Sequence, residues 1–129
     1  MNKINFFVMS VLFVMLLTGC TSRQVLNISE EPVPSFKSLS NEQVKGAIAK
    51  ACTRRRWLVE SATENEVIAS IVVRGRHKAK ISIPFTTQKF NINYVSSEGL
   101  NAKKGKIHRN YNRWVNNLRR TINQELGRL

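Results

Sequence analysis

Aspartate is absent from this 129-residue chain, and eight glutamates face 21 lysines and arginines. The glutamates are scattered, so no pair of carboxylates is spelled out for acid–base work. Two histidines, His77 and His108, and two cysteines, Cys20 and Cys52, are too few and too dispersed to write a zinc or copper site. A Gly-rich phosphate loop and a Ser-centred nucleophile motif are missing as well. The chain is accordingly read as non-enzymatic, with no metal and no cofactor. Long apolar runs are scarce too. The one candidate, residues 6–17, falls short of the roughly 20 residues that a membrane-crossing helix needs.

What is present begins with that run. Lys3 puts a positive charge ahead of it and Thr18-Gly19 closes it, the charged start, apolar centre and small-residue end of a secretory signal. Leu17-Thr18-Gly19-Cys20 resembles the lipobox of bacterial lipoproteins. The resemblance implies cleavage between Gly19 and Cys20, a diacylated Cys20 thiol and an acylated new amino terminus. Several acyl chains, at about 0.8 kcal/mol per buried methylene, hold where a single chain would be marginal. Thr21 in place of Asp after the cysteine implies sorting to the outer membrane, with the domain in the periplasm. A soluble secreted protein, or an uncleaved helix beside a chance cysteine, is the alternative. With Cys20 acylated, Cys52 has no partner within the chain and is expected to be a small buried core residue. A reactive or intermolecular thiol is the other reading of it.

The net charge is +13; removal of Lys3 with the signal leaves 20 cations against eight carboxylates, or +12. An excess of this size favours anionic partners such as phosphate-bearing lipid, anionic glycan, acidic protein or nucleic acid. The roughly 110 residues left after cleavage suffice for one domain.

Residues 1–19 are thus the signal. Residues 21–39 carry Glu30, Glu31, Pro32, Pro34 and several serines without sustained periodicity, so 20–39 read as a lipidated tether able to reach about 65 Å when extended. A basic domain is expected over 40–129. Ser40-Asn41-Glu42-Gln43 has the form of a capping box. Val44, Ala47, Ile48, Ala51 and Cys52 then share one face of a helix over 41–55. Strands follow at 57–62 and 67–74. In a third, His77, Ala79, Ile81, Ile83 and Phe85 alternate with Lys78, Lys80 and Ser82. A fourth alternates Phe90, Ile92 and Tyr94 with Lys89, Asn91, Asn93 and Val95. After a loop over 96–105, Ile107, Tyr111, Trp114, Val115, Leu118, Ile122 and Leu126 mark a second helix over 107–126, with Gly127 as its stop. The economical arrangement is an α+β fold. A four-stranded antiparallel meander carries both helices on its apolar face, in the order α-β-β-β-β-α.

A second resemblance rests on Val44 to Ile48, Arg74-Gly75-Arg76-His77-x-Ala79, Tyr94-x-Ser96-Ser97-x-x-Leu100 and, above all, Ile107-His108-x-x-Tyr111-Asn112-x-Trp114-Val115-x-x-Leu118. Together they resemble a group of small bacterial lipoproteins of unknown function, over about 41–122. The sequence departs from that pattern at Arg56-Trp57, where Gly is expected before the Trp. The resemblance implies address and fold, and brings neither activity nor ligand.

Two basic surfaces are candidates for anion binding. The favoured one is the open face of the sheet, with Arg74, Lys78, Lys80 and Lys89, where Ile68, Val72 and Val95 are expected to be exposed among the cations. The other joins Lys103, Lys104, Lys106, Arg109 and Arg113 on the loop and second helix. An ordinary solvated surface is the competing reading of both. His108 is read as holding the 96–105 loop at the helix start, with ligand or proton sensing as the alternative. His77 is read as a satisfied residue at the core edge, and Trp57, Tyr111 and Trp114 as core. The function expected is that of a lipid-anchored periplasmic module whose basic face engages an anionic envelope component. The alternative is docking of another envelope protein on the open sheet face. Nucleic-acid binding is disfavoured, because that face lacks aromatics on which bases would stack.

Overall fold

The computed structural model describes residues 20–34 and 36–129; the expected signal, residues 1–19, lies outside them. Along the chain run β1 (Ser22–Gln24), β2 (Ile28–Pro32), α1 (Asn41–Arg54), β3 (Leu58–Ala62), β4 (Glu66–Val73), β5 (His77–Pro84), β6 (Lys89–Glu98), β7 (Lys106–His108) and α2 (Arg109–Gly127). The strands form a five-stranded antiparallel sheet in the order β2-β6-β5-β4-β3 and a separate ribbon of β1 with β7.

Period-two alternation puts Val67, Ala69 and Ile71 of β4, Ala79, Ile81 and Ile83 of β5, and Phe90 and Ile92 of β6 on one buried face. Both helices cover it. Helix α1 contributes Val44, Ala47, Ile48, Ala51 and Cys52, and α2 contributes Tyr111, Val115, Leu118, Ile122 and Leu126. Each large apolar side chain so buried contributes about 1.5–3 kcal/mol. The capping box forms: Ser40 Oγ accepts from the Gln43 N–H at 3.1 Å, and Gln43 Oε1 accepts from the Ser40 N–H at 2.8 Å. At the far end of α1 the Trp57 N–H reaches the Cys52 carbonyl (2.9 Å) and the Arg56 N–H reaches Thr53 (3.1 Å), a Schellman closure. It places Arg56 in the left-handed region at φ +65° and drops Trp57, 2% exposed, into the core.

The sheet has five strands where the sequence suggested four, and the additional pairing comes from the segment expected to be a tether. Ile28 lies opposite Ile92 and is buried; Val25, Leu26 and Val33 pack against the core. Side-chain amides staple this segment down. Asn112 Oδ1 accepts from the Leu26 N–H (3.0 Å) while its Nδ2 donates to the Gln24 carbonyl (2.9 Å). Asn27 accepts from the Tyr94 N–H and Asn91 from the Glu30 N–H. Such strands are short and polar, and their partners lie 60 to 90 positions away, so no local period betrays them.

Other boundaries move for stated reasons. Lys106–His108 pair with β1, so α2 begins at Arg109, and Gly127 is its last residue with Arg128 as the cap. Strand β6 continues to Glu98 past a bulge, since Lys80 opposes Ser96 while Ile81 opposes Tyr94. The expected loop is thereby reduced to 99–105. It ends in a two-residue turn in which Lys104 and Gly105 both have positive φ and Lys103 and Lys106 exchange backbone hydrogen bonds. Gly99, at φ +71°, sits so close to the Arg76 carbonyl that a Cβ would collide with it.

Candidate functional site

On the open face of the sheet each candidate lysine is matched by a glutamate. Lys80 lies 2.9 Å from Glu60, Lys78 3.6 Å from Glu98 and Lys89 2.5 Å from Glu30. Hydrogen bonds from Lys80 and Ser70 hold the Glu60 carboxyl below its ordinary range, against a small opposing effect of burial. Glu60, Ser70, Val72, Lys78, Lys80 and Glu98 line an open hollow of about 300 Å³. Val72 and Val95 are exposed as expected, Ile68 is half-buried, and Leu58, 68% exposed, joins them. Leu58 lies opposite Ser70 in the register, which puts it on this face. The surface is therefore amphipathic and charge-balanced, not bare cation. Arg74 sits apart in the β4–β5 turn.

The second basic surface is different in kind. Lys103, Lys104, Lys106, Arg109 and Arg113 are all exposed, and among the described residues none has a carboxylate partner. They surround the β1–β7 ribbon, in which Gln24 opposes Lys106 and Ser22 opposes His108. The Thr21 carbonyl accepts a hydrogen bond from the Arg109 N–H at 2.9 Å, and the preceding Cys20 is exposed. The structure thus brings Arg109 beside the Cys20–Thr21 segment, with Arg113 one helical turn on and Lys106 further along the ribbon, and leaves Lys78, Lys80 and Lys89 on another surface. Arg76, exposed in the β4–β5 turn, adds to the cations singled out from sequence.

A third basic group lies at the C-terminal end of α1, where cations suit the negative end of the helix dipole. Arg54, Arg55 and Arg56 line a hollow of about 200 Å³ with Trp57, Trp114 and Asn117. Two of the three are engaged: Arg54 pairs with Glu125, and Arg55 Nε donates to Thr121 Oγ1 at 2.7 Å. Glu125 is only 3% exposed and also meets Lys50 at 3.4 Å and Arg128 at 3.1 Å, tying α1 to α2. Burial alone would raise its carboxyl, but hydrogen bonds from Arg54 and Lys50 and the charges of Lys50 and Arg128 outweigh it and hold it below the usual range.

His108 caps α2, its Nδ1 accepting from the Asn110 N–H at 3.2 Å while its backbone N–H donates to the Leu100 carbonyl at 2.8 Å. The side chain therefore fixes the helix start, while the contact to the preceding loop, expected from the side chain, is made by the backbone. His77 Nδ1 lies 2.8 Å from the Gly99 carbonyl. Cys52 is fully buried, which pushes its thiol up to about 12. Tyr111 is buried edge-on to Tyr94, ring centroids 5.5 Å apart, and burial raises its phenol, with a smaller contribution from Tyr94. Trp114 is half-buried against the core. Among the described residues no three His, Cys, Asp or Glu side chains gather in one place, and no helix is long and apolar enough to cross a membrane. Comparison of the chain with family models, curated proteins and solved structures gave no match.

Proposed function

We propose that this protein is a non-enzymatic lipoprotein of the cell envelope, anchored to the outer membrane through acyl chains on Cys20, with a periplasmic domain that binds an anionic envelope component. The observation that carries this reading is the company Cys20 keeps. The cysteine that ends the lipobox-like run is exposed, and it leads directly into a ribbon bordered by Lys103, Lys104, Lys106, Arg109 and Arg113, which have no carboxylate partner among the described residues. A buried Cys52 leaves it no disulfide partner. Metabolic labelling with palmitate followed by membrane fractionation tests the anchor. The parent chain is expected to incorporate label and sediment with outer membranes, and Cys20→Ser to do neither; membrane retention of the unlabelled variant would remove the basis of the reading. Binding to anionic vesicles, neutral vesicles and peptidoglycan at 0.1 M and 1 M salt tests the ligand class, because the Debye length shrinks from about 10 Å to about 3 Å. Equal and salt-insensitive binding to all three would exclude it.

The open sheet face supports a second reading, docking of another envelope protein. Leu58, Val72 and Val95 are exposed there beside lysines already paired with glutamates, the mixed character of a protein interface more than of an anion site. A photo-crosslinker at Val72 is expected to capture one defined envelope protein if this holds, and none if it does not.

A further inference from the structure

We infer that the cations around the β1–β7 ribbon clamp the domain flat against the leaflet that holds its acyl chains, by binding the phosphate groups of anionic phospholipid; this rests on the anchor proposed at Cys20. Two stretches contain no carboxylate, residues 20–29 and 99–124. They are far apart in the chain, and the pairing of β1 with β7 brings them together. All eight glutamates lie outside them. The acyl attachment is thereby set within the most cationic and least acidic part of the fold.

Distance makes the arrangement consequential. A tether over 20–39 would let the domain wander tens of ångströms from the membrane. Order beginning at Ser22 leaves only Cys20 and Thr21, a reach of about 7 Å. The Thr21–Arg109 hydrogen bond puts the attachment within about 10 Å of the start of α2, and Arg113 lies one turn on, roughly 6 Å along the helix axis. Lys106 is across the ribbon from Gln24, and Lys103 and Lys104 form the turn beside it. Arg109 is thereby kept close to the electrostatic layer of the bilayer, about 8 Å deep at physiological salt, whereas Lys106 and the basic turn, about 13 Å or more along the ribbon from Cys20, enter it only when the ribbon lies along the membrane. Each Lys or Arg near an anionic surface favours contact by roughly fivefold.

The two ends of the sheet also differ in charge, although Glu98, opposite Lys78, lies at the basic end. Arg74 and Arg76 flank the β4–β5 turn, which reaches this end of the molecule through Gly99 against the Arg76 carbonyl and His108 against Leu100. Glu30, Glu31, Glu64 and Glu66 collect at the opposite end of the sheet, about 23 Å away along β4. The domain is polarised along its strands, and the anchor is at the positive pole.

The test uses the acylated full-length protein with a nitroxide at Ala102→Cys, next to the basic turn, or at Thr87→Cys, in the far turn between β5 and β6. Cys20 is then blocked by lipid and Cys52 is shielded. The protein is placed in vesicles of phosphatidylcholine, with or without phosphatidylglycerol, carrying a headgroup-linked nickel chelate. With phosphatidylglycerol, the Ala102 label is expected to collide with nickel far more often than the Thr87 label. That contrast should shrink in neutral vesicles, at 1 M salt, and in a Lys103→Glu, Lys104→Glu, Arg109→Glu variant whose melting temperature is unchanged. Equal collision at both positions on anionic vesicles, or a contrast indifferent to lipid charge, overturns the clamp while leaving the anchor intact. Mass analysis of the Cys20 peptide separates the two ideas, since an unacylated peptide from the membrane fraction overturns both.

Discussion

Arg56 occupies a backbone conformation that favours glycine, and its side chain has no hydrogen bond or ion pair among the described residues. The departure from the lipoprotein pattern noted at this position is thus a departure in residue type, while the closure of α1 keeps the left-handed geometry a glycine would supply. Arg56→Gly is expected to stabilise the fold by roughly 0.5–1 kcal/mol, relief of left-handed strain exceeding the added chain entropy. Urea denaturation would measure it, and a loss of stability would show that the guanidinium contributes a contact of its own. Glu125 is the opposite case, a single side chain on which three cations depend. Its carboxyl titrates lower in the folded state than the unfolded value near 4.5. Its stabilising contribution is therefore complete above that value and is lost as the pH falls through the folded one. Glu125→Gln is expected to melt below the parent at pH 7, with the gap closing as the pH falls below 4.5; a gap of constant size would mean that the carboxylate charge is not what α1 and α2 share.

At the scale of elements, the α2 motif acquires a physical meaning position by position. Ile107 is buried in β7, His108 caps the helix, Tyr111 and Val115 enter the core, Leu118 follows a turn later, and Asn112 staples the segment between β1 and β2. Asn112→Ala removes both staples and strands the half-buried Leu26 N–H, at a cost of about 1–3 kcal/mol. Its sharper effect is expected to be local. Hydrogen exchange at residues 22–26 should accelerate while the β4 and β5 amides stay protected, turning an ordered segment into a real tether. Uniform acceleration through the sheet would mean instead that β1 folds as one unit with the core. The helices and strands β3 to β6 were legible in the sequence, because amphipathic periods of 3.6 and 2 are written in consecutive residues. Strands β1, β2 and β7 were not. They span three to five residues, and their hydrogen bonds are made to side-chain amides and partners far along the chain.

For the whole molecule, the two basic surfaces are predicted to behave differently. Reversing Lys78 and Lys80 to Glu breaks ion pairs with Glu98 and Glu60 and is expected to leave binding to anionic vesicles nearly unchanged, since those charges were already compensated. Reversing Lys103 and Lys104 is expected to weaken the salt-sensitive part of that binding by roughly 25-fold or more. The opposite ranking, measured by vesicle flotation at 0.1 M salt, would return the anion site to the sheet face.

By itself the sequence determined the cationic excess, the lipobox-like ending at Cys20, the α+β class and the apolar face of each main element. These are properties of composition or of neighbouring residues, and they survive without knowledge of what folds against what. Only the tertiary structure decided which cations are paired, that residues 22–32 belong to the domain, and that Cys20 lies beside Arg109. The reason is that a charge's surroundings depend on every segment packed near it. Two carboxylate-free stretches become one surface only when β1 and β7 meet.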